Sequence, residues 1–297
     1  MAKIIFGLGY LGLRIAEQWI RRSQPQEATS ERIYAVTRSP EKGALLEQRG
    51  LCPVVGDIAA EKLPLDAGIS TAVIAIGYDR GSSQPIGEVY ARSAQNIVDS
   101  LSDSVERVIY ISSTGVFGRA SGEWVSEETP AEPLREGGKA CLAAENILRQ
   151  SRLSERVTIL RLAGIYGPDR IPRRADLAAG RAIDAAPDGY LNLIHVDDAA
   201  SIVLAVDDQK MGGELFLVSD GSPTLRRDYY AELARIVGGP PPQFATPAIG
   251  SPAAARAASD KRISNAKLMA QLKPVLAYPS YQEGLAAIVR EEDSRNR

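Results

Sequence analysis

The 297-residue chain reads as an α/β protein: a Rossmann-type doubly wound parallel sheet followed by a smaller carboxyl-terminal substrate lobe. Three observations predict this. A glycine-rich turn directly follows the first apolar run. Short β-rich runs alternate with segments of helical period through the first half. After Leu162 that rhythm gives way to a stretch rich in Arg, Ala, Gly and Pro. Short apolar strands, most of them followed by a helix, mean a parallel sheet covered on both faces.

The elements follow in order. A first strand is predicted over Lys3–Phe6, then a helix with Leu11, Ile15 and Trp19 on one face. The polar stretch Arg21–Arg32 reads as a surface loop. Further strands are expected over Ile33–Thr37, Pro53–Val55, Thr71–Ile76, Arg107–Ile111 and Thr158–Leu162. Ile86, Tyr90, Ala94, Ile97 and Leu101 share a face of an intervening helix. Beyond them come a strand, Glu214–Val218, and helices over Asp197–Val206, Leu225–Val237, Asn265–Leu272 and Tyr281–Arg290. This divides the chain into a dinucleotide-binding domain, residues 1–162 completed by about 190–220, and a lobe of 163–189 and 221–297.

Composition excludes several classes. With 35 Lys+Arg against 37 Asp+Glu, no basic footprint for nucleic acid or an anionic membrane is present. A single histidine rules out a multi-histidine metal site, and Cys52 and Cys141 form neither a metal cluster nor a CxxC pair, so no metal is expected. No run reaches the roughly 18 apolar residues of a membrane span. Met1–Gly7 is too quickly broken by glycine for a signal peptide. A reducing cytoplasm is the expected location.

Gly7-Leu8-Gly9-Tyr10-Leu11-Gly12 fits G-x-G-x-x-G after a strand and at the start of a helix, the context that gives this pattern meaning. Gly7 permits the tight turn, a side chain at Gly9 would collide with a pyrophosphate, and Gly12 lets helix and strand pack closely. The helix N-terminus then faces the phosphates. Tyr10 and Leu11 belong to the same cofactor-binding segment. NAD-binding versions end the second strand on a carboxylate. Here Thr37 and Arg38 stand there instead, and the planar Arg38 fork suits a 2′-phosphate. NADP(H) is therefore favoured over NAD(H). Asp57 either accepts from the adenine amino group or caps a helix. Ile76, at the end of the fourth predicted strand, completes the expected cofactor set.

Beyond the turn, the chain carries Gly56-Asp57, Tyr110-Ile111-Ser112-Ser113-Thr114-Gly115-Val116-Phe117-Gly118, Arg161–Pro168, Asn192–Asp198 and Tyr278–Leu285. Together these resemble the extended short-chain dehydrogenase/reductase family, the NAD-dependent epimerase/dehydratase group, over nearly the whole chain. The resemblance implies a seven-stranded Rossmann sheet and a small substrate lobe. It also implies epimerisation, dehydration or reduction, often of nucleotide-linked sugars. Ser113 and Thr114 match the family's catalytic hydroxyl position, where a hydroxyl polarises a substrate carbonyl or alcohol.

The family's acid/base pair, Tyr-x-x-x-Lys, is missing. If Glu145 matches the family's later helix glutamate, the tyrosine and lysine places hold Gly137 and Cys141. A register slipped by two aligns Lys139 with the lysine but puts Arg135 in the tyrosine place, and arginine cannot act as a base. In the first register Lys139 is about 200° round the helix, on the wrong face. The resemblance is thus to an atypical branch that lacks the pair. Tyr166 is a candidate for a catalytic role, set against packing at the cofactor's edge. His195 is either a general base or a structural junction before Asp197, a natural N-cap. Asn192 is an expected substrate contact by the same resemblance. Arg170, Arg173, Arg174 and Arg181 either receive an anionic substrate or form a solvated face, with Arg170 and Arg174 the expected substrate contacts.

Two functions follow. One is an NADP(H)-dependent oxidoreductase or epimerase/dehydratase-like enzyme acting on a small polar carbonyl or nucleotide-sugar-like substrate. The other is a catalytically silent NADP(H)-binding sensor or regulator. The expected partners are a small-molecule substrate and, through the helices around Ile97 and Leu142, a second copy in a homodimer, with no nucleic acid and no membrane.

Overall fold

The computed structural model describes residues 2–22, 31–65, 68–79, 81–118, 120–258 and 260–295. In chain order the elements are β1 (Ala2–Phe6), α1 (Tyr10–Arg22), β2 (Arg32–Thr37), α2 (Pro40–Gln48), β3 (Cys52–Val55), β4 (Ile69–Ile74), α3 (Ile86–Ser100) and β5 (Arg107–Ser113). Then come β6 (Trp124–Val125), α4 (Glu136–Gln150), β7 (Val157–Leu162), β8 (Gly164–Tyr166), α5 (Arg174–Ala178), β9 (Ile183–Asp184), β10 (Tyr190–Leu191), β11 (Leu193–His195) and α6 (Val196–Asp208). The remainder are β12 (Leu215–Val218), β13 (Thr224–Leu225), α7 (Arg226–Ile236), β14 (Phe244–Ala245), α8 (Pro252–Ala257), β15 (Arg262–Ile263), α9 (Ala266–Gln271) and α10 (Tyr281–Arg295).

The central sheet has seven strands in the order β12-β7-β5-β4-β1-β2-β3, the doubly wound arrangement that the alternating sequence predicts. The pairings from β3 through β5 are parallel. Strand order reverses between β1 and β4, and ligands bind such sheets beyond the carboxyl ends of the strands at that point. Ile4, Phe6, Ala72, Ile74, Val108 and Ile97 are among the apolar side chains buried at its core. Each contributes about 1.5–3 kcal/mol if fully withdrawn from water, alanine less.

Local sequence explains the helices. Leu11, Ile15 and Trp19 bury one face of α1, and Arg21 and Arg22 in its last turn suit the negative helix end. Ser39 caps α2 by accepting the Lys42 N–H at 3.1 Å, and Pro40 occupies the first turn, where no N–H is needed. Two boundaries differ from expectation. Arg21 and Arg22 are helical and Arg32 opens β2, so of the expected surface loop 23–31 remains, and all of it but Glu31 lies outside the described residues. The fourth strand starts at Ile69 and ends at Ile74, not Ile76. Beyond its end the Ala75 N–H still donates to the Phe6 carbonyl at 2.8 Å, and the 75–76 backbone passes close beside Gly7.

The chain separates into two compact units. Unit 1 comprises 1–113, 136–161 and 199–216, and unit 2 comprises 114–135, 162–198 and 217–297. Unit 2 is built on two-stranded pairings, β8 with β11, β6 with β15, β9 with β14 and β10 with β13. Its own core gathers Tyr166, Leu177, Tyr229, Leu233, Tyr281 and Leu285. Among the described residues no helix is long and apolar enough to cross a membrane.

Candidate cofactor and active sites

A cavity of about 750 Å³ opens in unit 1 where β1, β2, β3 and β4 end. Gly7 and Gly9 line it from the turn after β1, Thr37 and Arg38 from β2, Asp57 from the segment after β3, and Ile76 from that after β4. These expected cofactor residues, distant in sequence, therefore share one cavity. Tyr10, Leu11 and Gly12 do not line it. Tyr10 stacks beneath the Arg14 guanidinium at 4.5 Å, and Leu11 is buried behind the turn.

The glycines have different jobs. Gly7 has φ +98°, and a Cβ there would sit 2.5 Å from the Ala75 carbonyl oxygen. A Cβ on Gly12 would sit 2.1 Å from the Gly7 carbonyl oxygen. A Cβ on Gly9 would meet no protein atom within 4 Å. Gly7 and Gly12 are thus required by the fold, whereas a side chain at Gly9 would enter open space beside the cavity. Thr37 is buried, and its Oγ1 accepts the Ser39 N–H at 3.3 Å. Asp57 Oδ1 accepts the Ala59 N–H at 3.0 Å. It closes an Asx turn, so the helix-cap alternative is realised only as a turn.

Among the lining residues that escape the sequence reading, three bear on the charge and hydrogen bonding of the cavity. Lys42 donates from Nζ to the Leu8 carbonyl at 3.0 Å, tying α2 to the phosphate turn. The Ser39-Pro40 cap signal fixes α2's first turn and could have found it. Asp79 stands 3.4 Å from Arg38. The buried Ser93 hydroxyl lines the cavity from α3 with no hydrogen-bond partner. Glycine-formed turn, helix N-terminus, paired cations and this orphaned hydroxyl fit a dinucleotide.

Ser113 ends β5, and Thr114 opens a 3₁₀ turn that continues to Val116. The helix that should follow with an acid/base pair is α4. Glu145 on it is wholly buried and receives a fork from Arg161, Nε at 3.0 Å and Nη2 at 2.7 Å. Ser112 donates to the same carboxylate at 2.5 Å. Cys141 lies one turn earlier, buried. Burial first, then Glu145, pushes its thiol up to about 11. Lys139 points to solvent and pairs with Glu136 at 2.8 Å. The face holding Glu145 and Cys141 is therefore not the one carrying Lys139.

Unit 2 reassigns several expected site residues. Tyr166 is fully buried and donates to the Ser280 carbonyl at 3.3 Å. Burial, then Asp220 and Tyr229, raise its pKa far above the ordinary value, the reverse of what a proton-transfer tyrosine needs. A Cβ on Gly284 would overlap its hydroxyl, so Tyr166 is a packing residue here. Asn192 uses both ends of its amide on backbone, donating to Lys261 O at 2.9 Å and accepting from Ile263 N at 2.7 Å. It clamps the segment leading into β15 rather than presenting itself to a ligand. Arg174 forks onto Glu292 at 2.5 and 2.6 Å, and Arg173 and Arg181 share Asp176. Arg170 bridges its backbone to Gly167. His195 is buried, stacks on Tyr278 at 3.8 Å and accepts the Asp197 N–H at its Nδ1, 3.3 Å away. Asp197 lies inside α6, so the histidine, not Asp197, caps this end.

Of the four predicted arginines, Arg173 lines a cavity of about 280 Å³ in unit 2, together with two that the sequence reading did not single out. Arg173, Arg226 and Arg256 line it with Tyr230 and Asp184. Burial, with Arg256 adding against the pull of Asp260, holds the Arg226 guanidinium below its ordinary value. These residues span more than eighty positions of sequence, and no local signal joins them. Lys261, also buried, donates to the Phe117 carbonyl at 3.3 Å. Burial and Arg135 bring its ammonium down to about 8, against Asp260.

The family's sequence pattern, NAD dependent epimerase/dehydratase, matches residues 4–218, and the chain belongs to that family. It is 31% identical over 246 residues to protein YeeZ of Escherichia coli (strain K12), covering 81% of this chain and 85% of that one. It is 30% identical over 150 residues to 2'-dehydrokanamycin reductase of Streptomyces kanamyceticus, 46% of this chain and 43% of that one. Among solved structures, UDP-glucose 4-epimerase of Thermotoga maritima, determined with UDP-glucose, superposes with a TM-score of 0.76 at 16% identity, over 100% of this chain and 99% of that one.

Proposed function

We propose that the protein is an NADP(H)-dependent oxidoreductase or epimerase/dehydratase-like enzyme acting on a small polar carbonyl or nucleotide-sugar-like substrate. The observation that carries the cofactor half is the unit 1 cavity, where Arg38 follows the end of β2 in place of a carboxylate and Lys42 lines the same cavity from α2. In this reading the turn at Gly7–Gly9 and the α1 N-terminus hold the pyrophosphate. Arg38, with Lys42 behind it, takes the 2′-phosphate, and Asp57, Ile58 and Ser93 border the adenine. When bound, the nicotinamide cofactor supplies or accepts hydride. Ser113 and Thr114 hydrogen-bond the substrate oxygen and orient it. The arginine-lined cavity of unit 2 supports an anionic substrate group, a phosphate or carboxylate that a guanidinium fork suits. The reductase and the sugar-nucleotide epimerase among the similar proteins support the same chemistry.

A second reading, an NADP(H)-binding sensor without turnover, is favoured by one observation: α4 offers Gly137 and Cys141 but no tyrosine, and its lysine faces solvent. Fluorescence titration tests what both share. NADPH should bind at least about tenfold tighter than NADH, and Arg38→Ala should remove most of that margin. Equal affinities in the wild type would defeat the cofactor assignment. Turnover of keto-sugar substrates with NADPH then separates enzyme from sensor.

A further inference from the structure

Among the described residues, four charged side chains line the unit 1 cavity: Arg38, Lys42, Asp57 and Asp79. Two are engaged by backbone, Lys42 by the Leu8 carbonyl and Asp57 by the Ala59 N–H. The other two are engaged with each other. Arg38 Nη2 lies 3.4 Å from Asp79 Oδ2, and the side chains are 61% and 58% exposed. The partners are not equally mobile. Asp79 Oδ1 accepts the Gly81 N–H at 2.9 Å, and the Asp79 carbonyl accepts the Ser82 N–H at 2.9 Å. The carboxylate is therefore fixed by its own turn, while Arg38 reaches it on a long side chain from the end of β2.

We infer that Asp79 is a specificity-determining residue that competes with the cofactor's 2′-phosphate for Arg38 and so sets the ratio of NADP(H) to NAD(H) binding. The inference rests on the proposed role of Arg38. A guanidinium facing a carboxylate at hydrogen-bond distance cannot turn its full fork to a phosphate without loosening that contact. A phosphate dianion brought to Arg38 also comes close to a carboxylate that the Asx turn holds in place, and like charges at such range repel even through water. NAD(H), with a neutral 2′-hydroxyl, feels neither effect. Because the pair is exposed and weak, it exchanges readily and moderates affinity without blocking entry.

The test is Asp79→Asn, in which the amide oxygen can still accept from Gly81, so the turn survives. NADPH and NADH are titrated by fluorescence against wild type, Asp79→Asn, Arg38→Ala and the double variant. Asp79→Asn should tighten NADPH about threefold to tenfold and leave NADH within about twofold. The gain should vanish in the Arg38→Ala background. If Arg38→Ala weakens NADPH but Asp79→Asn changes nothing, Asp79 is not the competitor and the inference falls while the cofactor assignment stands. If Asp79→Asn weakens NADH, Asp79 is a ribose ligand and the inference is overturned. If Arg38→Ala affects neither cofactor, the assignment of Arg38 fails first and takes the inference with it.

Discussion

Toward the amino-terminal ends of β1, β4 and β5 the central sheet is closed by charge, and at the carboxyl-terminal ends of β1 to β4 it is kept open by glycine. At the closed end Asp207, on α6, accepts from Thr71 Oγ1 at 2.6 Å and Arg107 Nε at 3.0 Å, and pairs with Lys3 at 2.8 Å. Burial alone would push the Asp207 carboxyl up, but Lys3, Thr71 and Arg107 outweigh it and hold it below the usual range. At the open end the polar groups are backbone N–H groups, a helix terminus and side chains half in solvent. One end spends its polar groups on itself, and the other leaves them for a ligand. The lesson is that in this unit burial with complete pairing marks structure, and incomplete pairing beside a cavity marks function.

The sharpest way to break that contrast is Asp207→Ala. It leaves Lys3 with Glu31 and Arg107 with Glu106 as their remaining carboxylates and Thr71 without its acceptor, and should cost about 2–3 kcal/mol in urea unfolding, less than an uncompensated buried charge. NADPH affinity of the folded fraction should not change. A loss below about 1 kcal/mol would mean that the closed end is no more structural than an exposed pair.

Paired glycine substitutions sharpen the other side. Gly12→Ala puts a Cβ into the Gly7 carbonyl, so it should destabilise by about 2–3 kcal/mol and abolish cofactor binding together. Gly9→Ala meets no protein atom, so unfolding should stay within about 0.5 kcal/mol of wild type while NADPH affinity falls at least about tenfold. Equal loss of stability in both would erase the distinction between a fold glycine and a ligand glycine.

The smallest expected effect is in unit 2, where Asp220 departs from the rule. Its carboxyl is buried with Oδ2 unpartnered, and burial, aided by Asp198 and Glu283, raises it to about 7. A carboxyl whose folded pKa lies above its unfolded value binds its proton more tightly when folded. Its contribution is therefore fully present below about pH 4 and is lost as pH rises toward 7. Asp220→Asn removes that slope, and should leave the variant about 1–2 kcal/mol more stable than wild type at pH 8, with less difference at pH 5. Denaturation at both pH values measures it. An unchanged slope would mean that the carboxyl titrates as an ordinary surface group.

How much of this is legible in the sequence depends on the range of the interaction. Gly7, Gly9, Thr37, Arg38 and Asp57 could be found because a turn, a helix start and strand ends are local events with fixed residue preferences. The fourth strand was shifted by two, and its register is set by pairing with β1, nearly seventy residues away. The surroundings of Tyr166 and Asn192 were illegible for the same reason: Ser280, Gly284 and the 261–263 backbone, which contact them, are remote in sequence. Arg174 looked available because Glu292 is 118 positions away. Arg226 and Arg256 passed unnoticed because an exposed helical arginine and a cavity-lining one have the same local sequence.

The Ser112–Glu145–Arg161 contact has a consequence for how such a chain can change over time. It joins β5, α4 and β7 through one buried carboxylate, and none of its three residues is a position of the missing acid/base pair. The helix is thus held at Glu145, about two turns beyond Gly137. A Cβ at Gly137 has nothing nearer than Ile86 Cδ1, at 3.9 Å. A Cβ introduced at 137 accordingly meets no crowding, which makes α4 a helix anchored at one position and free to vary at another.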